Sequence, residues 1–317
     1  MKLALEIEKL SLRLPSTGRD VLDSVSLTVG ATETVALVGE SGCGKTLTAR
    51  SALNLLPRGA RARGTVTVAG QDVLGLDAKR LRQLRRGTAA MIFQDPRAGI
   101  NPLRKVGDFL TEVVRDTDRA VSVLSAVGLD ADIRNRYPGT LSGGMLQRVM
   151  IAAALMGNPE LLLADEPTTA LDVTTQAEVV ALLAALQREY GTGLLFVTHD
   201  LALASAIADR VYVMYAGRVA ETGTAAALFT APRHPYTKAL LAATPRAGTR
   251  RLEAIEGQPP DLRAPIAGCP FAPRCAKASA VCSERAPLFA DGVACHHPES
   301  DTPHHPESDT PHPGEAA

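Results

Sequence analysis

The chain contains 317 residues, roughly the size of two domains, and 45% of them are apolar, which is ample for a packed core. Its 34 basic and 34 acidic residues cancel, so the composition gives no support to a nucleic-acid partner. No apolar run approaches the ~20 residues that span a bilayer, and Glu6 and Glu8 follow Lys2 too closely for a signal peptide. We therefore expect a cytosolic protein that acts at a membrane only through a partner.

The first part of the chain predicts β-strands. Apolar residues alternate with others at positions 3–7, again at 10–14 in the opposite phase, and at 24–29, which is typical of half-buried antiparallel strands. Residues 34–38 (TVALV) form a nearly continuous apolar run, as in a strand of a sheet buried on both faces. A glycine-rich turn follows, and a helix is expected from about residue 47 to 56.

The middle of the chain predicts helices and then an alternation of strands and helices. Helical periodicity dominates from about residue 97 to 158, so we expect a largely α-helical insertion there. Buried strands follow at 160–164 and 194–198, with a helix at 176–190 between them. This alternation predicts an α/β fold with a parallel sheet, which a last hairpin at 211–221 completes.

A P-loop pattern, GESGCGKT, occupies residues 39–46, after a predicted strand and at the start of a helix. Glycines allow backbone N–H groups to curl around phosphate oxygens, Lys45 can reach the β- and γ-phosphates, and Thr46 can bind Mg²⁺. The alternative is a glycine-rich turn without a ligand, and Cys43 is expected to be a packing residue rather than a redox group. The predicted nucleotide-binding residues of this loop are Gly39, Ser41, Gly42, Cys43, Gly44, Lys45 and Thr46.

Two carboxylates, Asp165 and Glu166, end the apolar segment LLLADE. Asp165 can hold Mg²⁺ through water, and Glu166 can polarise the water that attacks the γ-phosphate. Such a strand end is weak support for a site when it stands alone. Together with the P-loop it predicts nucleotide hydrolysis with Glu166 as the base.

A second glycine-bearing helix start lies at residues 141–147 (LSGGMLQ). Ser142, Gly143 and Gly144 can offer backbone N–H groups to a phosphate. One nucleotide does not need two such cradles, so we expect this one to face a nucleotide held by another subunit. The alternative is a serine N-cap whose glycines allow tight packing.

The P-loop, the LSGGM segment, the LLLADE strand and their order resemble the nucleotide-binding domain of ABC transporters over residues 1–230. The resemblance implies an ATPase that uses ATP and Mg²⁺, with a RecA-like parallel sheet core, an antiparallel β subdomain and an α-helical subdomain. It implies that Gln94 contacts Mg²⁺ and relays to the membrane domain, that Asp172 lies at a dimer seam, and that His199 contacts the γ-phosphate. A lone histidine at a strand end is otherwise more often a cap.

The base-binding part of the site departs from the family pattern. The family usually stacks adenine on an aromatic residue near the start of the domain, and no aromatic residue precedes Phe93 here. Leu14 or Val21, or a partner chain, must then contact the base. GTP therefore stays open as an alternative nucleotide.

Two C-terminal segments, HPYTKALL at 234–241 and GCPFAPRC at 268–275, resemble the tail of oligopeptide, dipeptide and nickel importer ATPases. This implies a peptide importer at the cytoplasmic face of the membrane, with nickel or a metal chelate as the alternative solute. The implied partners are a paralogous ATPase subunit in a heterodimer, two membrane permeases and an extracytoplasmic solute-binding protein. A soluble ABC ATPase acting on DNA or ribosomes is less favoured, because the chain has neither a long coiled-coil insertion nor a second cassette.

Four cysteines cluster near the C-terminus, at Cys269, Cys275, Cys282 and Cys295. In a reducing compartment such a cluster favours metal ligation over disulfides. Structural zinc sites prefer short C-x2–4-C pairs, which this chain lacks, so a 4Fe–4S cluster is expected before Zn²⁺. Unliganded buried thiols are the third alternative.

These patterns divide the chain into three parts. Residues 1–230 form the ATPase domain, with its helical subdomain at about 97–158, and residues 231–295 form a cysteine-containing extension. Residues 296–317 are expected to be a disordered tail, because they are polar and proline-rich and repeat HHPESDTP twice. The tail histidines could buffer a metal, but a solvated tail produced by duplication is favoured.

Overall fold

The computed structural model describes residues 2–169, 171–244 and 254–299. Its strands are β1 (Leu3–Arg13), β2 (Asp20–Gly30), β3 (Thr34–Val38), β4 (Arg61–Val68), β5 (Gln71–Asp72), β6 (Ala89–Ile92), β7 (Leu161–Asp165), β8 (Gly193–Thr198), β9 (Arg210–Tyr215) and β10 (Arg218–Thr224). Its α-helices are α1 (Lys45–Ser51), α2 (Ala78–Gln83), α3 (Val106–Leu110), α4 (Thr117–Ala126), α5 (Gly143–Leu155), α6 (Val173–Tyr190), α7 (Leu201–Ile207), α8 (Ala225–Thr230), α9 (Pro235–Ala242) and α10 (Ala280–Glu284). Among the helices in these ranges, none is long and apolar enough to cross a membrane.

The smaller sheet is antiparallel, with strand order β2-β1-β4-β5. Strand β1 carries both predicted phases of alternation, because a bulge at Lys9, whose φ is 48°, shifts the pairing register between Ile7 and Leu10. Ile7 and Leu10 are consequently both buried in the same apolar cluster, at 1% and 0% exposure. The bulge thus joins two out-of-phase patterns into one strand.

The larger sheet has strand order β10-β9-β3-β8-β7-β6, and its strands run parallel except for the antiparallel pair β9-β10. Strand β3 is buried throughout, as its apolar sequence predicts. The register places Val38 level with Thr198, and Val197 level with Asp165, so the carboxyl ends of β3, β8 and β7 meet at one edge. Strand β6 reaches the same edge, although its four residues (AAMI) are too few to reveal a period in the sequence.

Helices α3, α4 and α5 lie within residues 97–158, where the helical region is predicted, and are joined there by non-helical segments and short 3-10 turns. They share an apolar cluster with helix α6 and the parallel sheet, which includes Val123, Val149 and Leu183. Helix α6 begins at Val173 rather than at the predicted Gln176, because Asp172 caps it. The predicted fold class, a parallel core with an antiparallel sheet and a helical subdomain, is confirmed.

The C-terminal extension packs on the parallel sheet. A third apolar cluster brings Tyr236 of α9 and Phe271 of the extension against Val38 of β3. Two backbone hydrogen bonds, of 2.7 and 2.8 Å, tie residues 292–294 to strand β10. The extension is therefore joined to the ATPase core by apolar packing as well as by strand contacts.

The described residues continue four positions into the predicted tail. His296 Nε2 lies 2.9 Å from the Arg285 carbonyl oxygen, and His297 Nε2 lies 2.7 Å from Ser279 Oγ. The remaining tail, with most of the duplicated segment, lies outside the described residues.

Candidate functional site

The P-loop connects β3 to α1 and is closed by its glycines. Gly39 and Gly44 have φ values of 149° and 106°, and a Cβ at Gly39 would collide with the Met214 carbonyl oxygen. Lys45, which is 5% exposed, donates from Nζ to the carbonyls of Gly39 (2.8 Å) and Glu40 (3.1 Å). The loop therefore holds a positive charge within its curve, as phosphate binding requires.

A hydroxyl and a buried carboxylate lie together beside the P-loop. Thr46 Oγ1 donates to Asp165 Oδ1 at 2.9 Å, and Asp165 is fully buried at the end of β7. Burial raises the pKa of Asp165, and its Oδ2 has no hydrogen-bond partner among the described residues. An unpartnered buried carboxylate oxygen next to a hydroxyl is a donor set that suits Mg²⁺. The residues present therefore fit the predicted magnesium site.

The Glu166 carboxylate is held by three other side chains. Its Oε2 accepts from Gln94 Nε2 (3.1 Å) and from Thr169 Oγ1 (3.2 Å), and its Oε1 lies 3.4 Å from His199 Nδ1. Glu166 itself has φ 47° and donates its backbone N–H to the Val197 carbonyl at 2.9 Å. A non-glycine residue in this region is strained, and such strain concentrates at functional sites.

The predicted catalytic residues are Gln94, Glu166 and His199. The structure brings them into one network, because β6, β7 and β8 end at the same edge of the sheet. Thr169 is the member that the predicted site residues omit. Its segment resembles the family's dimer-seam loop, but nothing in the sequence shows that its hydroxyl turns back to the carboxylate three residues earlier. The network can orient Glu166 toward a water molecule at the P-loop.

Ser142, Gly143, Gly144 and Asp172 lie at the starts of α5 and α6. Ser142 caps α5 by accepting a backbone N–H at 3.2 Å, and a Cβ at Gly144 would lie 2.9 Å from Thr175. Asp172 accepts from the backbone N–H (3.0 Å) and hydroxyl (2.7 Å) of Thr175, and these bonds lower its pKa. Ser142 and Gly143 are exposed, as a contact with a second subunit would require. Their role toward that subunit stays a prediction.

The remaining predicted residues of the nucleotide site differ in exposure. Ser41 and Gly42 are exposed, whereas Cys43 is 5% exposed and burial raises the pKa of its thiol. The environment of Cys43 suits the packing role. Of the two residues expected to contact the base, Val21 is buried and Leu14 is only half-buried. Leu14 therefore has the apolar surface available for a base.

The four clustered cysteines line one small pocket of the extension and are all free thiols. Cys282 is buried. Burial raises the pKa values of Cys269, Cys275 and Cys295, so it disfavours the thiolate form of these three cysteines. Metal ligation requires thiolates. Among the residues that the structure describes, no group of three or more Cys, His, Asp or Glu side chains is arranged to hold a metal ion. The expected iron–sulfur cluster or Zn²⁺ is thus unsupported by this arrangement.

Comparisons with protein families agree with this geometry. The family described as "ABC transporter" matches residues 22–169, and the one described as "Oligopeptide/dipeptide transporter, C-terminal region" matches residues 220–282. Among solved structures, cbiO1 from Clostridium perfringens matches with a TM-score of 0.64 and 25% identity, covering 72% of this chain and 91% of that one. The ATP-binding cassette MJ0796, in a dimer bound to ADP and Pi, matches with a TM-score of 0.61 and 28% identity, covering 70% of this chain and 98% of that one.

Relatives with similar sequences extend over most of the chain. The probable D,D-dipeptide transport ATP-binding protein DdpD of Escherichia coli is 43% identical, over 94% of this chain and 97% of the relative. The oligopeptide transport ATP-binding protein OppD of Bacillus subtilis is 41% identical, over 93% and 88%. The chain therefore belongs to the ABC transporter ATP-binding proteins, in the branch that carries the oligopeptide/dipeptide transporter C-terminal region.

Proposed function

We propose that this chain is the ATP-hydrolysing subunit of a membrane importer for dipeptides or oligopeptides. The observation that carries the proposal is the Glu166 network beside the Thr46–Asp165 pair, at the carboxyl edge of the parallel sheet. The relatives DdpD and OppD are named for dipeptide and oligopeptide transport, which favours peptides over nickel as the solute. A non-transport ABC ATPase is the weaker alternative for the same reason.

The residues have distinct roles in this mechanism. The P-loop backbone, with Ser41 and Gly42 at its exposed turn, and Lys45 bind the phosphates of ATP. Thr46 and Asp165 would hold Mg²⁺, with Gln94 as a further contact, and the bound ion would neutralise phosphate charge. Glu166 takes a proton from the attacking water, while His199 contacts the γ-phosphate.

The proposal of a second ATPase subunit rests on the exposed helix start at Ser142 and Gly143. We infer that these residues, with Gly144 and Asp172, meet a nucleotide held by a paralogous ATPase subunit in a heterodimer. Two permeases and an extracytoplasmic solute-binding protein complete the importer, and this chain sits at the cytoplasmic face of the membrane. We also propose that the chain divides into an ATPase domain (residues 1–230), a cysteine-containing extension (231–295) and a tail (296–317).

The purified chain alone should be mostly monomeric and hydrolyse ATP slowly, because one of its two phosphate-binding helix starts has no nucleotide to face. Co-purification with its paralogue and permeases, followed by reconstitution in vesicles with the binding protein, should give ATP-dependent peptide uptake. Sedimentation and phosphate release measure the first point, and labelled dipeptide uptake measures the second. A stable homodimer with rapid ATP hydrolysis would contradict the heterodimer. Vesicles that hydrolyse ATP without taking up peptide would contradict the solute.

The cysteine pocket is proposed as a structural metal site, with a 4Fe–4S cluster preferred to Zn²⁺. The support is the convergence of four thiols on one pocket. Because the described thiols are not arranged to hold a metal ion, ligation would require them to rearrange and to lose their protons. Anaerobically purified protein should be brown and contain about four iron atoms per chain. Cys275→Ser should lose colour and iron, whereas Cys43→Ser, which removes a buried thiol elsewhere, should keep both. One zinc per chain would replace iron by zinc in the proposal, and metal-free protein would end it.

A further inference from the structure

A buried arginine of the C-terminal extension contacts the P-loop. The Arg274 side chain is 4% exposed and donates two hydrogen bonds to the Glu40 carboxylate, at 2.7 Å from Nη1 and 3.0 Å from Nη2. Its other N–H groups donate to Tyr215 Oη (3.1 Å) and to the carbonyls of Glu256 (2.9 Å) and Ile255 (3.3 Å). All five guanidinium donors thus have acceptors, which fixes the position of the group.

Glu40 is the second residue of the P-loop and is held on three sides. Its carboxylate accepts from Arg274, and its backbone N–H lies 2.9 Å from the Tyr236 hydroxyl of α9. Its carbonyl accepts from Lys45 Nζ at 3.1 Å. Arg274 therefore holds the side chain of the residue whose carbonyl positions the phosphate-binding ammonium group.

The charge of Glu40 would oppose nucleotide binding if it stood alone. A carboxylate in a phosphate-binding loop repels a triphosphate, and the repulsion is stronger where water is partly excluded. The two-point bond to Arg274 neutralises this charge and turns both carboxylate oxygens toward the extension. The ion pair thus compensates for an acidic residue inside the P-loop.

The position of Arg274 depends on the fold of the extension. The residue ends a short 3-10 turn, Ala272–Arg274, directly before Cys275. Phe271, just before the turn, packs against Tyr215 and Tyr236 with ring centroids 5.3 Å apart in both pairs. A displacement of this turn would move the guanidinium away from Glu40.

We propose that Arg274 is a positioning residue of the nucleotide site, through which the extension sets the affinity of the P-loop for ATP. It acts on Glu40 and does not touch the nucleotide itself. The inference rests on the proposed ATP-binding function and adds a residue outside residues 1–230 to it.

Arg274→Gln and Glu40→Gln break the same ion pair but should have opposite effects on ATP affinity. Arg274→Gln leaves the negative charge in the loop and should weaken Mg·ATP binding about tenfold, the scale of one charged hydrogen bond. Glu40→Gln removes that charge and should bind Mg·ATP at least as tightly as wild type. Calorimetric titration of the full-length variants with Mg·ATP measures both, and the double variant should lie near wild type.

A purely structural role for the pair predicts a different result, since both single variants would then weaken binding alike. Arg263→Gln is the matched control, because Arg263 belongs to the same extension but is 74% exposed and pairs with Asp261. It should bind Mg·ATP as wild type does. Equal weakening by both single variants, or unchanged binding by Arg274→Gln, would overturn the inference. If Arg274→Gln does not fold, the Mg·ATP affinity of the double variant is compared with that of Glu40→Gln. Similar affinities support the inference, and much weaker binding by the double variant overturns it. Failure of the wild-type chain to bind ATP would instead refute the proposed function.

Discussion

Glu166→Gln should lower ATP turnover about 100-fold or more, the scale expected for loss of a general base, while ATP binding persists. The amide keeps the size of the side chain, and its oxygen can still accept from Thr169 and Gln94. It cannot take a proton from water. Phosphate release by the variant assembled with its partner subunits measures turnover, and titration with Mg·ATP measures binding.

The same substitution outside the network provides the control. Glu178→Gln removes a carboxylate that is 57% exposed and pairs with Arg148, so turnover should stay near that of wild type. The Glu166→Gln complex should also accumulate as a closed, ATP-bound dimer, which sedimentation can detect. Near-normal hydrolysis by Glu166→Gln would remove this residue from the role of base, and another member of the network would have to supply it.

The sequence could predict those parts of the site that are local in the chain. The P-loop places seven predicted site residues within one short segment, whose glycines, lysine and threonine are the residue types that phosphate and Mg²⁺ binding require. The positions of most strands were predictable in outline from periodicity. The bulge at Lys9 was not, because a single inserted residue looks like a change of phase until the pairing of β1 with β2 is known.

The contacts that the sequence could not predict depend on the path of the folded chain. Thr169 and Glu166 are neighbours in the chain, but their side chains meet only because the chain turns back after β7. Arg274 meets Glu40 across 234 positions. No period or spacing connects such pairs. The cysteines are an intermediate case: their clustering in sequence is matched by one shared pocket, but in the described part of the chain their thiols are not arranged as a metal site.

Asp165→Asn should have opposite effects on the stability of the metal-free protein and on its response to Mg·ATP. Burial raises the pKa of Asp165 above its ordinary value of 3.8, so the fold disfavours the charged carboxylate. Its contribution to stability is therefore greatest at low pH and is lost as the pH rises through the raised pKa. In EDTA at neutral pH, the Asp165→Asn variant should unfold at a higher temperature than wild type. This difference in unfolding temperature should shrink as the pH falls toward 4.

With Mg·ATP the order should reverse, because Asp165 offers an unpartnered buried oxygen to the cation and asparagine lacks its charge. We expect wild type to gain thermal stability from Mg·ATP, the variant to gain little, and its turnover to fall about 100-fold or more, on the scale of a lost electrostatic contact to the transition state. Asp132→Asn, which changes an aspartate that is 60% exposed, should behave like wild type in both conditions. A variant that Mg·ATP stabilises as fully as wild type would exclude Asp165 from the magnesium site. A variant that is less stable than wild type in EDTA at neutral pH would show that the buried carboxylate contributes to the fold through its bond to Thr46 rather than opposing it.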